Sequence, residues 1–320
     1  MTVPDAKEKW SGQITTITIG ATEADGGTRG STVTVGGQAG IPFMSFDGEE
    51  PNGTAIALDV LDIEPQDWPA PLAEVYGDVW SDPAAWAKRV KELGADMVNL
   101  RLLGTHPDEG DRSPEEAAAT VKAVLEAVDL PLIVWGCEVA AKDQKVMPKV
   151  AEAAQGEKCL LGSVTEDEYR TLTAAAQAYG HKLIAMSPCD INKAKQINIL
   201  VTDMGFPLED IVIYPSTASL GYGMEYIYSI LERGRLAGLS GDKLMGQPVL
   251  LDVGYEAWRA KEARAGDDMA EVWGAAAQRG PTWEAVTATD LLQGGSDLLV
   301  MRHPKAMEAV RNASKQLVGA

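Results

Sequence analysis

The sequence predicts an α/β protein, a (β/α)8 TIM barrel with an N-terminal β-hairpin extension. Three observations carry that prediction. Eight short apolar runs recur between residues 54 and 302, each nearly continuous in hydrophobicity, as strands covered on both faces require. Helical segments with recognisable caps separate the runs, which is the βα repeat of a parallel barrel. Ahead of them, residues 13–36 place two β-branched stretches around a turn-rich segment, the pattern of a hairpin.

In chain order, the hairpin strands are ITTITIG (14–20) and STVTVGG (31–37), joined by ATEADGGTRG. A glycine-, proline- and acid-rich connector, residues 40–53, follows. The division is therefore 1–53 for hairpin and connector, and 54–320 for the barrel. The hairpin is long and apolar enough to aggregate if exposed, so it is expected to pack on a partner subunit. The eight runs are TAIALDVLDI (54–63), DMVNLRLL (96–103), LPLIVWGC (130–137), KCLLGSV (158–164), HKLIAMS (181–187), DIVIYPS (210–216), QPVLLDVG (247–254) and SDLLVMR (296–302). Between them, residues 82–95 open with an Asp cap and Pro at the first helical position, and stop at Leu93-Gly94. Residues 113–128 open Ser-Pro-Glu-Glu, with carboxylates at the positive end of the helix dipole. Residues 165–180 read as a helix with a Thr165 cap and a terminal Gly180. Gly238 to Gly246 is a loop at the bottom of the barrel. Residues 255–293 predict two helices broken at Arg279-Gly280-Pro281. An open doubly wound sheet is the alternative, but neither G-x-G-x-x-G after the first run nor G-x-x-x-x-G-K-[ST] occurs.

Composition narrows the function. The chain has 320 residues, 45% hydrophobic and 23% charged, ordinary for a globular protein. No run of about 18 apolar residues is present to span a membrane. The N-terminus lacks the apolar core of a secretory signal, which points to the cytoplasm. A net charge of −19 repels phosphate backbones and argues against nucleic-acid binding. Three cysteines, Cys137, Cys159 and Cys189, without a C-x-x-C, are too few for a disulfide framework or for the four thiolates of a [4Fe–4S] cluster.

Ligands of such a barrel bind at the C-terminal strand ends. That rule selects Asp62, Glu64, Asn99, Arg101, Trp135, Gly136, Cys137, Glu138, Ser163, Ser187, Cys189, Asp190, Asn192, Tyr214, Ser216, Thr217, Ser219, Asp252, Gly254, Arg302 and His303. A Schiff-base lysine is not among them, since Lys158 and Lys182 begin strands and Lys193 and Lys195 lie beyond one. A catalytic metal wants several convergent ligands, whereas His106 lies in a loop, His181 starts a strand and His303 stands alone. Asp59, Asp62, Glu64 and Asp67 form a carboxylate run that alternation divides between faces, leaving them to cap or pair locally. Cys137 has no sequence-adjacent histidine to raise its thiolate fraction and reads as a buried thiol. What remains is small and hydroxyl-rich: PSTASLGYG (215–223) and MSPCDIN (186–192). Such loops suit close approach to a broad, flat ligand, and equally a plain tight turn.

On GTAIALDVLDIEP, GADMVNLRLLGTHPDE, LPLIVWGC, YPSTASLGYGMEY and the TVTVGG hairpin, the chain resembles the small (delta) subunits of the corrinoid iron–sulfur protein of the acetyl-CoA (Wood–Ljungdahl) pathway, associated with CO dehydrogenase/acetyl-CoA synthase. The resemblance covers essentially the whole chain. It implies a heterodimer with a large (gamma) subunit that carries a [4Fe-4S] cluster and a corrinoid domain, with the cobalamin shared between that domain and the top of this barrel. It further implies a methyl group passed from methyltetrahydrofolate, by a separate methyltransferase, to acetyl-CoA synthase. By itself the chain would then not be an enzyme. The lack of a D-x-H-x-x-G and of four cysteines agrees with that division of labour. Related pterin-binding barrels grip the ring with Asp and Asn at strand ends. Here Asn99, Asp190 and Asn192 are of that type, whereas Arg101 and Trp135 stand where such a pocket is open, implying that pterin binding is lost.

The residues expected to line the corrinoid are Asn99, Arg101, Trp135, Cys137, Tyr214, Ser216, Thr217, Ser219, Leu220, Arg302 and His303. Two alternatives stand beside this reading: an active methyltetrahydrofolate-binding barrel methyltransferase, and a purely structural subunit without cofactor contact.

Overall fold

The computed structural model describes residues 7–44 and 46–317; the remainder of the predicted hairpin segment (1–6), Ser45 in the connector and the end of the barrel segment (318–320) lie outside the described residues. The hairpin is β1 (Thr16–Ile19) with β2 (Val33–Gly36), paired antiparallel from Thr16↔Gly36 to Ile19↔Val33. All eight apolar runs become strands: β3 (Ala55–Leu61), β4 (Met97–Arg101), β5 (Leu132–Trp135), β6 (Leu160–Val164), β7 (Lys182–Met186), β8 (Ile211–Tyr214), β9 (Leu250–Asp252) and β10 (Leu298–Met301). They are parallel, in the order β8-β7-β6-β5-β4-β3-β10-β9. The ring closes where Ile213 bridges Val249 and its N–H donates to the Pro248 carbonyl at 2.9 Å.

Around the barrel run α1 (Ala70–Tyr76), α2 (Pro83–Glu92), α3 (Pro114–Ala127), α4 (Ala140–Ala153), α5 (Arg170–Tyr179), α6 (Ile191–Asp203), α7 (Met224–Leu239), α8 (Val253–Ala257), α9 (Lys261–Arg264), α10 (Ala276–Gln293) and α11 (Pro304–Leu317). The predicted caps of α2 and α3 form: Asp82 accepts from the Ala84 N–H, and Ser113 and Glu116 make a reciprocal capping box. Two helix boundaries differ from expectation. Thr165 closes a turn by accepting from the Glu168 N–H, and α5 begins only at Arg170, although Gly180 ends it in the left-handed region as predicted. The break expected at Arg279-Gly280-Pro281 falls instead at 265–275, and Pro281 sits inside α10. As the sixth residue of α10, Pro281 forfeits the one N–H bond that would reach the Ala277 carbonyl. Gly280 lets α10 press on Trp258, where a Cβ would lie 2.2 Å from the indole ring. Arg279 then ties the preceding loop down by donating to the carbonyls of Ala265, Gly266, Trp273 and Gly274.

The period-two alternation of a strand sorts side chains into two cores. Outward residues such as Ile56, Leu58, Val98 and Leu100 meet the helices. Inward residues such as Ala57, Met97, Ile133, Leu160, Ile184 and Leu298 fill the barrel. The hairpin belongs to the second core. Ile17, Ile19 and Val35 are almost fully buried and pack into the barrel floor. The Thr15 N–H donates to the Gly246 carbonyl and Gly20 to Lys158. Gly36 (φ +83) permits the close crossing, since a Cβ there would lie 2.0 Å from the Thr15 carbonyl oxygen. Arg29, 4% exposed, anchors the hairpin loop through Glu157 and the carbonyls of Leu125 and Val128. The apolar surface expected to need a partner thus covers the chain's own barrel, and Thr16 and Thr18 are left on the exposed face.

Candidate functional site

The same alternation lifts polar residues to the top of the barrel interior. Continuing inward from Ala57, Met97, Leu250 and Val300 are Asp59, Asn99 and Arg101, Asp252, and Arg302. They meet in one network. Asp59 Oδ1 accepts from Arg101 Nε at 2.9 Å and Asn99 Nδ2 at 2.6 Å, and its Oδ2 accepts from Arg302 Nε at 2.9 Å. Arg101 Nη2 donates to Asp252 Oδ2 at 2.6 Å, and Trp135 Nε1 donates to Asn99 Oδ1 at 2.6 Å. Thr217 Oγ1 donates to the Asp252 carbonyl at 2.7 Å, with the Tyr214 hydroxyl 3.4 Å away.

Two guanidiniums and two carboxylates, each at most 6% exposed, balance one another where an unpaired charge would be prohibitive. The carboxylates differ by their partners. Burial pushes both up, but Arg101 and Arg302 together hold Asp59 below the ordinary carboxylate range. Asp252, with Arg101 as its one direct guanidinium partner, is left raised to about 6 by burial. Glu284 of α10 organises the turn after β10, accepting from the backbone N–H groups of Arg302 (2.5 Å) and His303 (3.1 Å) and from Trp258 Nε1 (2.8 Å). Burial carries its carboxyl up to about 7.

Above the network opens a cleft of about 660 Å³, within the range of small-molecule sites. Arg101, Arg302, Trp68, Tyr255, Trp258 and Cys137 contribute to its walls, whereas Asp59 and Asp252 do not. The guanidinium carbon of Arg302 lies 5.0 Å from the Trp68 ring and 5.5 Å from that of Tyr255. The cleft spans the strand ends from β5 through β3 to β9. Across the mouth, beyond β7 and β8, the loops are rich in hydroxyls. Glu138 (φ 66), Cys189 (φ 52) and Ser216 (φ 66), after β5, β7 and β8, all hold left-handed backbone, a strained choice for non-glycine residues that gathers at functional loops. Buried here are Ser187 Oγ and Ser219 Oγ, with no hydrogen-bond partner among the described residues. Tyr222 (85% exposed) and Tyr226 (55%) stand on the surface beside them.

Of the predicted residues, Asn99, Arg101, Trp135, Tyr214, Thr217 and Arg302 converge in the network. Cys137 edges the cleft, with burial raising its thiol. Ser216, Ser219 and Leu220 lie together on the β8 loop. His303 does not join them. It stacks on Trp258, its Nδ1 accepts from the Lys305 N–H, and burial drives it down to about 4, so it closes the start of α11 as a neutral ring. Asp190 caps α6 through the N–H groups of Asn192 and Lys193, and Asn192 is exposed on that helix; neither belongs to the cleft. The carboxylate run separates: Asp59 turns inward on β3, and beyond the strand Asp62 binds the Gly104 N–H and Asp67 pairs with Arg264 on the surface. The strand-end rule selected Asp252 but not Asp59, and the expected lining set held neither, although counting by twos along β3 and β9 reaches both. Trp68, Tyr255 and Glu284 come from a loop and two helices, and no strand pattern signals them.

Comparison with known proteins adds a family. The family model described as CO dehydrogenase/acetyl-CoA synthase delta subunit matches residues 16–311. The chain is similar to the acetyl-CoA decarbonylase/synthase complex subunit delta of Archaeoglobus fulgidus, with 40% identity over 98% of this chain and 70% of that one. The Methanopyrus kandleri subunit of the same description is 38% identical over 96% and 76%. Among solved structures, dihydropteroate synthase of Xanthomonas albilineans superposes with a TM-score of 0.57 at 16% identity, covering 87% of this chain and 98% of that one. That likeness concerns the barrel fold alone.

Proposed function

Because the chain belongs to the CO dehydrogenase/acetyl-CoA synthase delta subunit family, we propose that it is a non-catalytic subunit of the acetyl-CoA decarbonylase/synthase complex whose barrel top closes one face of a corrinoid held by a large, cluster-bearing partner. The observation that carries this reading is the orientation of the barrel-top carboxylates. Asp59 and Asp252 are turned away from the cleft and engaged by arginines, so neither of the carboxylates at the barrel top offers itself to a substrate as a general acid or base. A pterin needs acceptors for its ring N–H groups; the floor of this cleft offers the guanidinium donors of Arg101 and Arg302, and its lining carboxylates are exposed at the rim.

A corrinoid fits the other half of the mouth. Ser187 and Ser219 carry buried hydroxyls without partners among the described residues, a cost that an external acceptor such as a peripheral amide carbonyl removes once the loop adjusts. Tyr222 and Tyr226 supply exposed aromatic surface for a broad macrocycle. The bound corrinoid supplies methyl transfer through its cobalt. This chain's residues position it and exclude water. The large (gamma) partner carries the [4Fe-4S] cluster and the corrinoid domain, which this chain's three cysteines leave to another subunit. A separate methyltetrahydrofolate methyltransferase and acetyl-CoA synthase/CO dehydrogenase dock in turn.

Two measurements test the reading. In the complex with its corrinoid-bearing partner, Ser219→Ala with Tyr222→Ala is expected to lower corrinoid retention several-fold by visible absorbance, with the melting temperature of the chain unchanged. Unchanged retention would leave the subunit a structural one. Calorimetry with methyltetrahydrofolate and the isolated chain is expected to show no binding; micromolar affinity would favour the methyltransferase alternative.

A further inference from the structure

The arginines that hold the barrel-top carboxylates are not fully engaged by them. A guanidinium has five N–H donors in a fixed planar fork. Arg302, 6% exposed, uses its Nε on Asp59, and neither Nη1 nor Nη2 has a hydrogen-bond partner among the described residues. Arg101, 4% exposed, uses Nε and Nη2, which leaves Nη1 in the same condition. Both residues line the cleft of about 660 Å³, and their carboxylate partners do not. Nearly buried side chains with unused donors turned to a cavity define a receptor for an acceptor, and for a guanidinium fork the matching acceptor is a carboxylate.

The walls set the shape of that ligand. The Arg302 guanidinium is flanked by the rings of Trp68 (5.0 Å) and Tyr255 (5.5 Å). Around Tyr255 the guanidinium carbons of Arg259 and Arg101 also stand at 5.2 and 5.6 Å. A body entering along the plane of Arg302 therefore passes between aromatic faces, which favour a flat group over a bulky one. The carboxylates that line the cleft, Glu64, Asp67, Glu109 and Glu138, are exposed, where solvent and salt screen their charge; Arg101 and Arg302 occupy the buried floor. We propose that this cleft binds a flat, carboxylate-bearing small molecule, its carboxylate on the free edges of Arg302 and Arg101 and its body between Trp68 and Tyr255. The site lies across the mouth from the β7 and β8 loops and stands whether or not those loops cover a corrinoid.

The test is a calorimetric titration of the full chain with benzoate, and with benzamide, cyclohexanecarboxylate and inorganic phosphate as controls. Benzoate is expected to bind at least about tenfold tighter than each of the three. Arg302→Lys, which keeps the charge on Asp59 but removes the fork, is expected to weaken benzoate about tenfold. Tyr255→Leu leaves every side-chain bond of the ion network in place and is expected to weaken benzoate as well, so the proposal stays testable if Arg302→Lys misfolds. No benzoate binding at millimolar concentration, equal affinity for benzamide or phosphate, or full affinity in Tyr255→Leu would overturn it. Because the titration needs no corrinoid, its failure leaves the capping reading untouched.

Discussion

Arg101→Met is expected to destabilise the barrel by about 3–5 kcal/mol, the range for removing one partner of a buried ion pair. Among the described residues, Arg101 is the one side chain that bonds directly to both Asp59 and Asp252. Without it Asp252 keeps only a 3.4 Å contact from the Tyr255 N–H, while Asp59 retains Arg302 and Asn99. The penalty should therefore arise chiefly at Asp252. Adding Asp252→Leu to Arg101→Met should recover about half or more of the loss, because replacing both buried charges is far cheaper than orphaning one. Urea denaturation of the single and double variants measures this. A double variant no more stable than Arg101→Met would show that the network does not carry the energy assigned to it.

Ile19→Ala should cost the isolated chain about 2–5 kcal/mol, the range for truncating a fully buried aliphatic side chain. Ile19 is 0% exposed and packs with Ile17 and Val35 against the lowest inward layer of the barrel. Thr18→Val, on the exposed face of the same strand, should change stability by no more than about 0.5 kcal/mol. Thermal unfolding without any partner distinguishes a barrel floor from a docking arm: if the hairpin served assembly alone, Ile19→Ala would leave the melting temperature of the free chain unmoved.

The barrel was legible because its signal is local. Each parallel strand, buried on both faces, writes a short apolar run, and capping residues such as Asp82 and Ser113 mark where helices begin. The inward residues Asn99, Arg101, Trp135, Tyr214 and Arg302 were legible for a related reason, since strand ends and alternation place them. The hairpin's strands were readable but its destination was not, because an apolar β face reads the same whether it meets a partner or its own barrel. Glu284 binds backbone 18 residues away in sequence, and Trp68 meets Arg302 only in three dimensions; periodicity carries neither. His303 was misplaced because the strand-end rule ignores side-chain direction. One residue beyond the inward Arg302, the alternation turns it out of the barrel and against Trp258.

The most direct test of the capping role is hydrogen–deuterium exchange of the chain alone and in complex with its corrinoid-loaded partner. Amides of 187–192 and 216–223, in the loops after β7 and β8, should gain protection when the loaded partner binds, and gain less with a corrinoid-free partner. Protection confined to the hairpin floor, or identical with loaded and corrinoid-free partner, would contradict a corrinoid lying on this end of the barrel.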